Sequence, residues 1–159
     1  MHKPSPAQVA YHIGSALKHK AVVMGLLLGV CKALIKRGLV HDLSKFSHTE
    51  IQHYAPIVPL LSKIPYGTPE YMEAVAEMKA GVTHHYQNND HHPEYWGSGV
   101  QEMPPLALIE MLVDWKAASL RRGSTPEEFR GTIRSSAGRF VYGEILINQL
   151  MDVVEELGW

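Results

Sequence analysis

Histidine is the residue type that stands out in this 159-residue sequence, which contains ten of them. Imidazole nitrogens and carboxylate oxygens are the ligands that proteins offer to zinc, iron, manganese, cobalt and nickel. Seven of the ten fall into three groups, one of which includes an aspartate: His12 and His19, His41 with Asp42, and His84, His85, His91 and His92. The leading hypothesis is a metal centre, and the alternative is a set of ordinary polar histidines on exposed helix faces.

Two acidic positions fit the same hypothesis. His41 and Asp42 are adjacent, and neighbouring side chains of a helix point about 100° apart, so both can reach one ion set between them. Asp114 follows Val113 at the margin of an apolar helix face, where a carboxylate must be satisfied by a metal, a lysine or a helix N-terminus. Glu110 lies one turn before Asp114 and could orient a ligand histidine.

Composition favours one compact domain over residues 1–159. Hydrophobic residues make up 45% of the chain and charged residues 19%, enough for a sizeable core. Fifteen Lys and Arg stand against sixteen Asp and Glu, a net charge of -1, so nonspecific nucleic-acid binding is not expected. Cys31 is the single cysteine, which excludes an internal disulfide and a multi-cysteine zinc module.

No membrane association is expected, and the expected location is the cytoplasm. The longest apolar run, residues 21–31, is well short of the roughly 18 to 20 residues that span a bilayer. The N-terminal residues also lack the order of charged, apolar and small-residue regions that marks a signal peptide.

Apolar residues three and four apart, with helix start and stop signals, predict an all-α fold. We expect a first helix to begin at Ser5 or Pro6, and a helix end at the glycine after Arg37. The capping-box spacing of Ser47 and Glu50 predicts the start of a new helix. Later helices are predicted over residues 69–86, from 106 to a stop at Gly123, from Thr125 onward, and over about 140–157.

His19 requires a turn if it is to join His41. In one straight helix it would lie about 27 Å from residue 37, too far to share an ion. A turn at residues 29–32 would bring the chain back to its starting level, and Gly25 and Gly29 would let the two helices approach closely. The alternative is a continuous helix with an exposed His19.

Two short motifs carry a family resemblance. Residues 41–46 read HDLSKF and residues 91–96 read HHPEYW, with an upstream histidine and a later helical aspartate in EMLVDW at 110–115. This pattern resembles the HD superfamily of metal-dependent phosphohydrolases, and fits best an uncharacterised family of short HD-like proteins common in phages and bacteria. The resemblance covers roughly residues 19–120 and implies an HD-domain-like helical bundle.

The resemblance also implies roles for particular residues. The ligands of a first metal would be His19, His41, Asp42 and Asp114, while His85 and either His91 or His92 would serve a second. Lys45, three residues after Asp42, would face the substrate phosphate or the attacking water. His12 is the alternative upstream ligand, and one or two divalent ions of Mn, Fe, Co, Ni, Zn or Mg are implied.

The implied function is metal-dependent hydrolysis of a nucleotide or another small phosphoester by a metal-activated water. Asp42 and Lys45 are the expected catalytic residues. Two alternatives remain: an HD-fold di-iron oxygenase, and a non-catalytic nucleotide-binding or regulatory module stapled by metal. Arginines could bind the substrate phosphate or simply form a solvated face, and the candidates are Arg121, Arg130 and Arg134. A homo-oligomer is compatible with the sequence.

Overall fold

A computed structural model describes residues 3–65 and 67–159 of the chain. Within these ranges the regular structure is entirely helical and contains no strand, which confirms the predicted all-α fold class. The eight α-helices are α1 (Pro6–Val40), α2 (His48–Tyr54), α3 (Val58–Leu61), α4 (Pro69–Glu77), α5 (Lys79–Asn88), α6 (Pro105–Arg122), α7 (Pro126–Phe140) and α8 (Glu144–Glu156). Three short 3-10 turns cover Leu43–Phe46, Pro93–Tyr95 and Gly99–Glu102.

The chain divides into two units, Met1–Val40 and His41–Trp159. The first contains α1. The second contains the other seven helices and every predicted site residue except His19. The prediction of a single HD-like domain over residues 1–159 stays a prediction.

The predicted turn at residues 29–32 is wrong, because α1 is one unbroken helix of 35 residues. Residues 7–40 contain no proline, and a glycine within a helix costs only about 1 kcal/mol relative to alanine, which neighbouring Leu, Met, Ala and Lys residues offset. His19 precedes the last residue of α1 by 21 positions, or about 32 Å, and His41 follows that residue directly. His19 therefore cannot share an ion with His41 of the same chain.

Other predicted boundaries shift by short distances. The single helix expected over 69–86 is two helices, because the backbone at Met78 leaves helical geometry with φ -86° and ψ 4°. The last helix, predicted from about residue 140, begins only at Glu144. The reason is that α7 runs to Phe140 and Val141 then takes a left-handed conformation before α8. The predicted stop at Gly123 is confirmed by its φ of 72°.

The main core of the second unit lies between α6, α7 and α8. Its most buried members include Phe129 and Ile133 of α7, Met111 and Leu112 of α6, and Val154 of α8. The Tyr142 hydroxyl donates a 2.6 Å hydrogen bond to the Ile133 carbonyl within this core. Because α6 packs one face here, its Glu110 and Asp114 side chains are fixed at the edge of that face.

A second contact joins α2 and α5. A Cβ placed on Gly81 of α5 would lie 2.8 Å from the Cβ of His53 on α2, so the two helices approach too closely for any other residue at 81. This approach brings Glu50 of α2 against the histidines at positions 84 and 85 of α5.

Candidate metal centre

Four segments of the second unit meet in one cluster of imidazoles and carboxylates. These segments are residues 41–42, the middle of α2, the end of α5 with the loop after it, and the middle of α6. Its members are His41, Asp42, Glu50, His85, His91, His92, Glu110 and Asp114. We call these eight residues the His-acid cluster.

Asp42 occupies the centre of the His-acid cluster. Its Oδ1 lies 3.4 Å from the Nε2 atoms of both His85 and His91, and its Oδ2 lies 3.3 Å from Nε2 of His41. The two oxygens of one carboxylate thus face two different sets of imidazoles. Asp42 holds this position with a left-handed backbone, φ 57°, which aspartate tolerates better than most residues.

The first candidate ion position lies on the Oδ1 side. Nε2 of His92 is 2.9 Å from Nε2 of His85, and ligand atoms from Asp42, His85, His91 and His92 all lie within 4.8 Å of one another. Three imidazoles and one carboxylate suit a borderline divalent ion such as Zn²⁺, Fe²⁺ or Mn²⁺.

The second candidate position lies on the Oδ2 side. Nε2 of His41 is 3.6 Å from Oδ1 of Asp114, and His41, Asp42 and Asp114 again present ligand atoms within 4.8 Å of one another. This position has fewer protein ligands, and the side chains of His41 and Asp114 are 27% and 29% exposed, so it is more open to water and substrate than the first. Lys45 donates a 2.6 Å hydrogen bond to Asp42 Oδ2 beside it.

Two buried atoms of the cluster fit a cation. Asp42 Oδ1 and His91 Nε2 are both buried, and neither has a hydrogen-bond partner among the described residues. Buried polar atoms are rarely left without a partner unless an ion or water completes the site. Since these two atoms are 3.4 Å apart and belong to the same candidate ion position, the residues present fit a bound metal ion.

Two further carboxylates contact the outer ring nitrogen, Nδ1, of cluster histidines. Oε2 of Glu50 lies 3.0 Å from Nδ1 of His85, and Oε1 of Glu110 lies 2.8 Å from Nδ1 of His41. A carboxylate at Nδ1 keeps the proton on that nitrogen, and the Nε2 lone pair then points toward the centre of the cluster. Buried Asn89 adds a bond from Nδ2 to the His85 carbonyl.

The pKa values of the cluster residues follow from this crowding. The Asp114 and Glu110 carboxylates raise the pKa of His41 to about 9, against the opposing effect of burial. Burial, followed by the nearby His91 and His85 rings, lowers the pKa of His92 to about 3. Burial favours the neutral form of Asp42, but Lys45 and then His41 outweigh it and hold the pKa of Asp42 below its usual range.

Six of the seven predicted metal-ligand residues meet in the cluster: His41, Asp42, His85, His91, His92 and Asp114. His91 and His92 both take part, whereas the sequence analysis expected one of them. The seventh, His19, is excluded by the unbroken α1.

The predicted phosphate-binding arginines stay predictions. Arg121 is in the last turn of α6, Arg130 pairs with Glu127 at 3.4 Å, and Arg134 is exposed on α7. A different arginine reaches the side of the cluster. Arg139 donates to Glu94 at 2.8 Å and to the hydroxyl of Tyr86 at 3.5 Å, and the Tyr86 ring packs 4.9 Å from that of His92.

Glu50 is the cluster residue that the sequence analysis did not predict as part of the site. Its spacing from Ser47 predicted a capping box, and Ser47 does accept a hydrogen bond from the Glu50 backbone N–H. The side chain turns inward instead, is fully buried, and bonds His84 and His85. Its place one turn after HDLSKF is the only available signal, and it is a weak one.

Comparison with known proteins identifies a family. The model of a family of unknown function, DUF5662, matches residues 8–157, nearly the whole chain. The chain belongs to the DUF5662 family. Neither the curated proteins nor the solved structures include a match. The match of the DUF5662 family spans all the residues of the His-acid cluster, from His41 to Asp114.

A helix that crosses a bilayer must be long and predominantly apolar. Among the described residues, none of the helices reaches the combination needed for a membrane span, α1 included.

Proposed function

We propose that this chain is a metal-dependent phosphohydrolase that acts on a nucleotide or another small phosphoester. The observation that carries the proposal is the position of Asp42, whose two carboxylate oxygens face two separate ligand groups. A carboxylate placed in this way suits a pair of divalent ions. Proteins use such pairs to stabilise both the attacking and the leaving oxygen of a displacement at phosphorus.

The charge of the His-acid cluster supports two ions and an anionic substrate. With neutral imidazoles, four carboxylates and the adjacent Lys45 leave a formal charge of -3. One divalent ion would leave -1, which repels a phosphate. Two divalent ions would bring the site to +1, which attracts one.

The chemistry supplied by bound divalent metal is a lower pKa for a coordinated water and stabilisation of charge that develops on phosphoryl oxygens. The chain's own groups do the rest. His41, with Nδ1 held by Glu110, and Asp114 fix the open side of the cluster. Lys45 donates to Asp42 Oδ2, and with metal held by the cluster it would be able to donate to a phosphoryl oxygen of the substrate instead.

The test combines metal analysis with a substrate panel. Protein purified without chelators or a nickel column should contain divalent metal, and a panel of nucleotides, phosphomonoesters and phosphodiesters should show EDTA-sensitive hydrolysis. Asp42→Asn preserves size but offers one acceptor oxygen and an uncharged NH₂ group in place of two carboxylate oxygens, so hydrolysis should fall to background. Asp152→Asn, a matched change at an exposed position of α8, should leave it unchanged.

Full hydrolysis by both His41→Ala and Asp42→Asn, or hydrolysis that survives complete metal removal, would end the proposal. Metal bound at full occupancy with no turnover of any phosphoester would favour the non-catalytic module.

A second candidate is a di-iron oxygenase, favoured by one observation. All four imidazoles of the cluster direct Nε2 inward, a nitrogen-rich ligand set that suits iron. Oxygen consumption by the iron-loaded protein, with no hydrolysis under anaerobic conditions, would support this reading. Anaerobic hydrolysis with a redox-inert ion would exclude it.

A further inference from the structure

Arg139 lies beside the His-acid cluster without being one of its members. It is in the last turn of α7, and its Nη2 donates a 2.8 Å hydrogen bond to Glu94 and a 3.5 Å bond to the Tyr86 hydroxyl. The Tyr86 ring packs 4.9 Å from the ring of His92, a candidate ligand of the first ion position. A single side chain, that of Tyr86, therefore separates the Arg139 guanidinium from a candidate metal ligand.

An aromatic ring supports the guanidinium. Cζ of Arg139 lies 4.7 Å from the centre of the Phe140 ring, a cation–π contact. Phe140 packs against the core, and its ring stacks on that of Trp115 with the two centroids 5.9 Å apart. Trp115 directly follows Asp114 of the cluster on α6. Because these contacts hold the side chain in advance, Arg139 loses less conformational entropy when it binds a ligand.

Arg139 is nevertheless accessible to a ligand. Its side chain is 62% exposed, and its bonds to Glu94 and Tyr86 both use Nη2. A guanidinium has five N–H donors, so those on Nη1 and Nε can meet a further acceptor. The planar fork of arginine matches phosphate oxygens, and hydrogen bonds between such ions are roughly twice as strong as neutral ones.

The charge of the cluster leaves a role for such a cation. Two divalent ions would bring the site to +1, which balances one phosphoryl group but not the further charge of a second. Adjacent phosphoryl groups share an oxygen, so the second would lie directly beside the first. Arg139 contacts a residue that packs on the cluster, whereas Arg130 pairs with Glu127 of its own helix.

We propose that Arg139 binds a second phosphoryl group of the substrate, next to the one held at the His-acid cluster. The inference rests on the proposed phosphohydrolase function. It narrows the substrate class to esters with adjacent phosphoryl groups, such as nucleoside diphosphates and triphosphates. Arg139 is then a specificity-determining residue, because it contributes to the binding of a diphosphate and not to that of a monophosphate.

The rival explanation is that the bond between Arg139 and Glu94 only ties α7 to the 3-10 turn at Pro93–Tyr95. The two explanations differ in sign. If the bond is only structural, Arg139→Ala and Glu94→Gln weaken the same contact and act in the same direction. If Arg139 receives a phosphoryl group, Glu94 competes for the guanidinium and repels the incoming anion, so the two substitutions act in opposite directions.

The test is isothermal titration calorimetry of the full chain with two equivalents of Zn²⁺. The probes are methylphosphonate and methylenediphosphonate, whose P–C bonds resist hydrolysis, and the measured quantity is the ratio of their dissociation constants. Arg139→Ala should reduce the preference for the diphosphonate by about 10-fold or more, and Glu94→Gln should increase it about 3-fold. Methylphosphonate should bind equally to the wild type and to both variants.

Two further variants complete the test. Arg139→Lys keeps the charge but not the planar fork, so its ratio should lie between those of the wild type and Arg139→Ala. Lys79→Ala removes an exposed cation from the first turn of α5 and is the matched control, which should keep the wild-type ratio. Urea denaturation should show that each variant is folded.

The proposal is overturned by a wild type that binds the two probes equally, by a wild-type ratio in both Arg139 variants, or by ratios that shift in the same direction in Arg139→Ala and Glu94→Gln. Hydrolysis is scored separately. The expected ratios without turnover of any phosphoester would refute the proposed function alone and leave Arg139 in a binding site for the same class of ligand. Hydrolysis of phosphoesters with equal ratios in all variants would refute the role of Arg139 alone.

Discussion

Replacement of Glu50 by glutamine should weaken metal binding without unfolding the chain. The two Glu50 carboxylate oxygens lie 3.0 Å from Nδ1 of His84 and 3.0 Å from Nδ1 of His85, and the side chain is fully buried. Glutamine has nearly the same volume, but it offers one acceptor oxygen and one NH₂ group in place of two acceptors. One of the two histidines must therefore face a donor.

A donor at Nδ1 of His85 would force the ring into its other tautomer. The proton would then sit on Nε2, the nitrogen that points at the candidate ion position, and would block ligation. Loss of a carboxylate that supports a metal ligand typically costs 10- to 100-fold in metal affinity, or about 1.4 to 2.7 kcal/mol. We expect Glu50→Gln to fall in that range.

The assay is competitive titration with Zn²⁺ or Co²⁺ on protein first stripped of metal, with the Co²⁺ absorption spectrum as a report of ligand geometry. His84→Ala is the matched control, because it removes the outer partner of Glu50 and leaves the bond to His85. It should bind metal nearly as the wild type does. Wild-type affinity and an unchanged Co²⁺ spectrum in folded Glu50→Gln would refute the reasoning.

Three further predictions concern stability, and each can be checked by urea denaturation of the stripped protein. Gly81→Ala places a Cβ 2.8 Å from that of His53 and should cost about 1 to 3 kcal/mol, so an unchanged midpoint would contradict the close packing of α2 on α5. Tyr142→Phe removes the 2.6 Å bond inside the core and should cost about 0.5 to 1.5 kcal/mol, with metal affinity unchanged. Stripped protein should be most stable near pH 6.5. Below pH 6.5, unfolding allows His92 (pKa about 3 in the folded chain) to take up a proton, so the free energy of unfolding rises from pH 3 to 6.5. Above pH 6.5, folded His41 (pKa about 9) keeps a proton that the unfolded chain releases, so the free energy of unfolding falls from pH 6.5 to 9. Bound metal should abolish the decline above pH 6.5, and a decline that metal does not change would count against His41 as a ligand.

Local signals predicted most of the cluster because its chemistry is concentrated in short motifs. His41 and Asp42 are adjacent, His91 and His92 are adjacent, and residue type alone marks all four as candidate ligands. Proline at the start of a helix also predicted the beginnings of α4 and α7, and glycine predicted the end of α6, since these residues act on backbone within one turn.

The incorrect or missing predictions concern features of the fold that the residues of one helical turn do not determine. Gly29 permits either a turn or a continuous helix, and the choice depends on the helix formers on both sides of it. Glu50 has the spacing of a capping residue, yet its side chain turns inward because α5 brings two imidazoles to it across the close approach at Gly81. A contact over 34 residues leaves no pattern in the sequence near Glu50.

The arrangement of the cluster implies that metal and fold depend on each other. Asp42, Glu50, Glu110 and Asp114 are carboxylates gathered from three separate segments, and Lys45 is the cation that lies among them. In the metal-free chain their mutual repulsion opposes the packing of α2, α5 and α6, and protonated His41 relieves only part of it. Divalent ions would remove that repulsion and join the four segments through His85, His91 and Asp114. Metal should therefore raise the unfolding midpoint of the wild type strongly and that of Asp42→Asn weakly, even if every phosphoester proves inert.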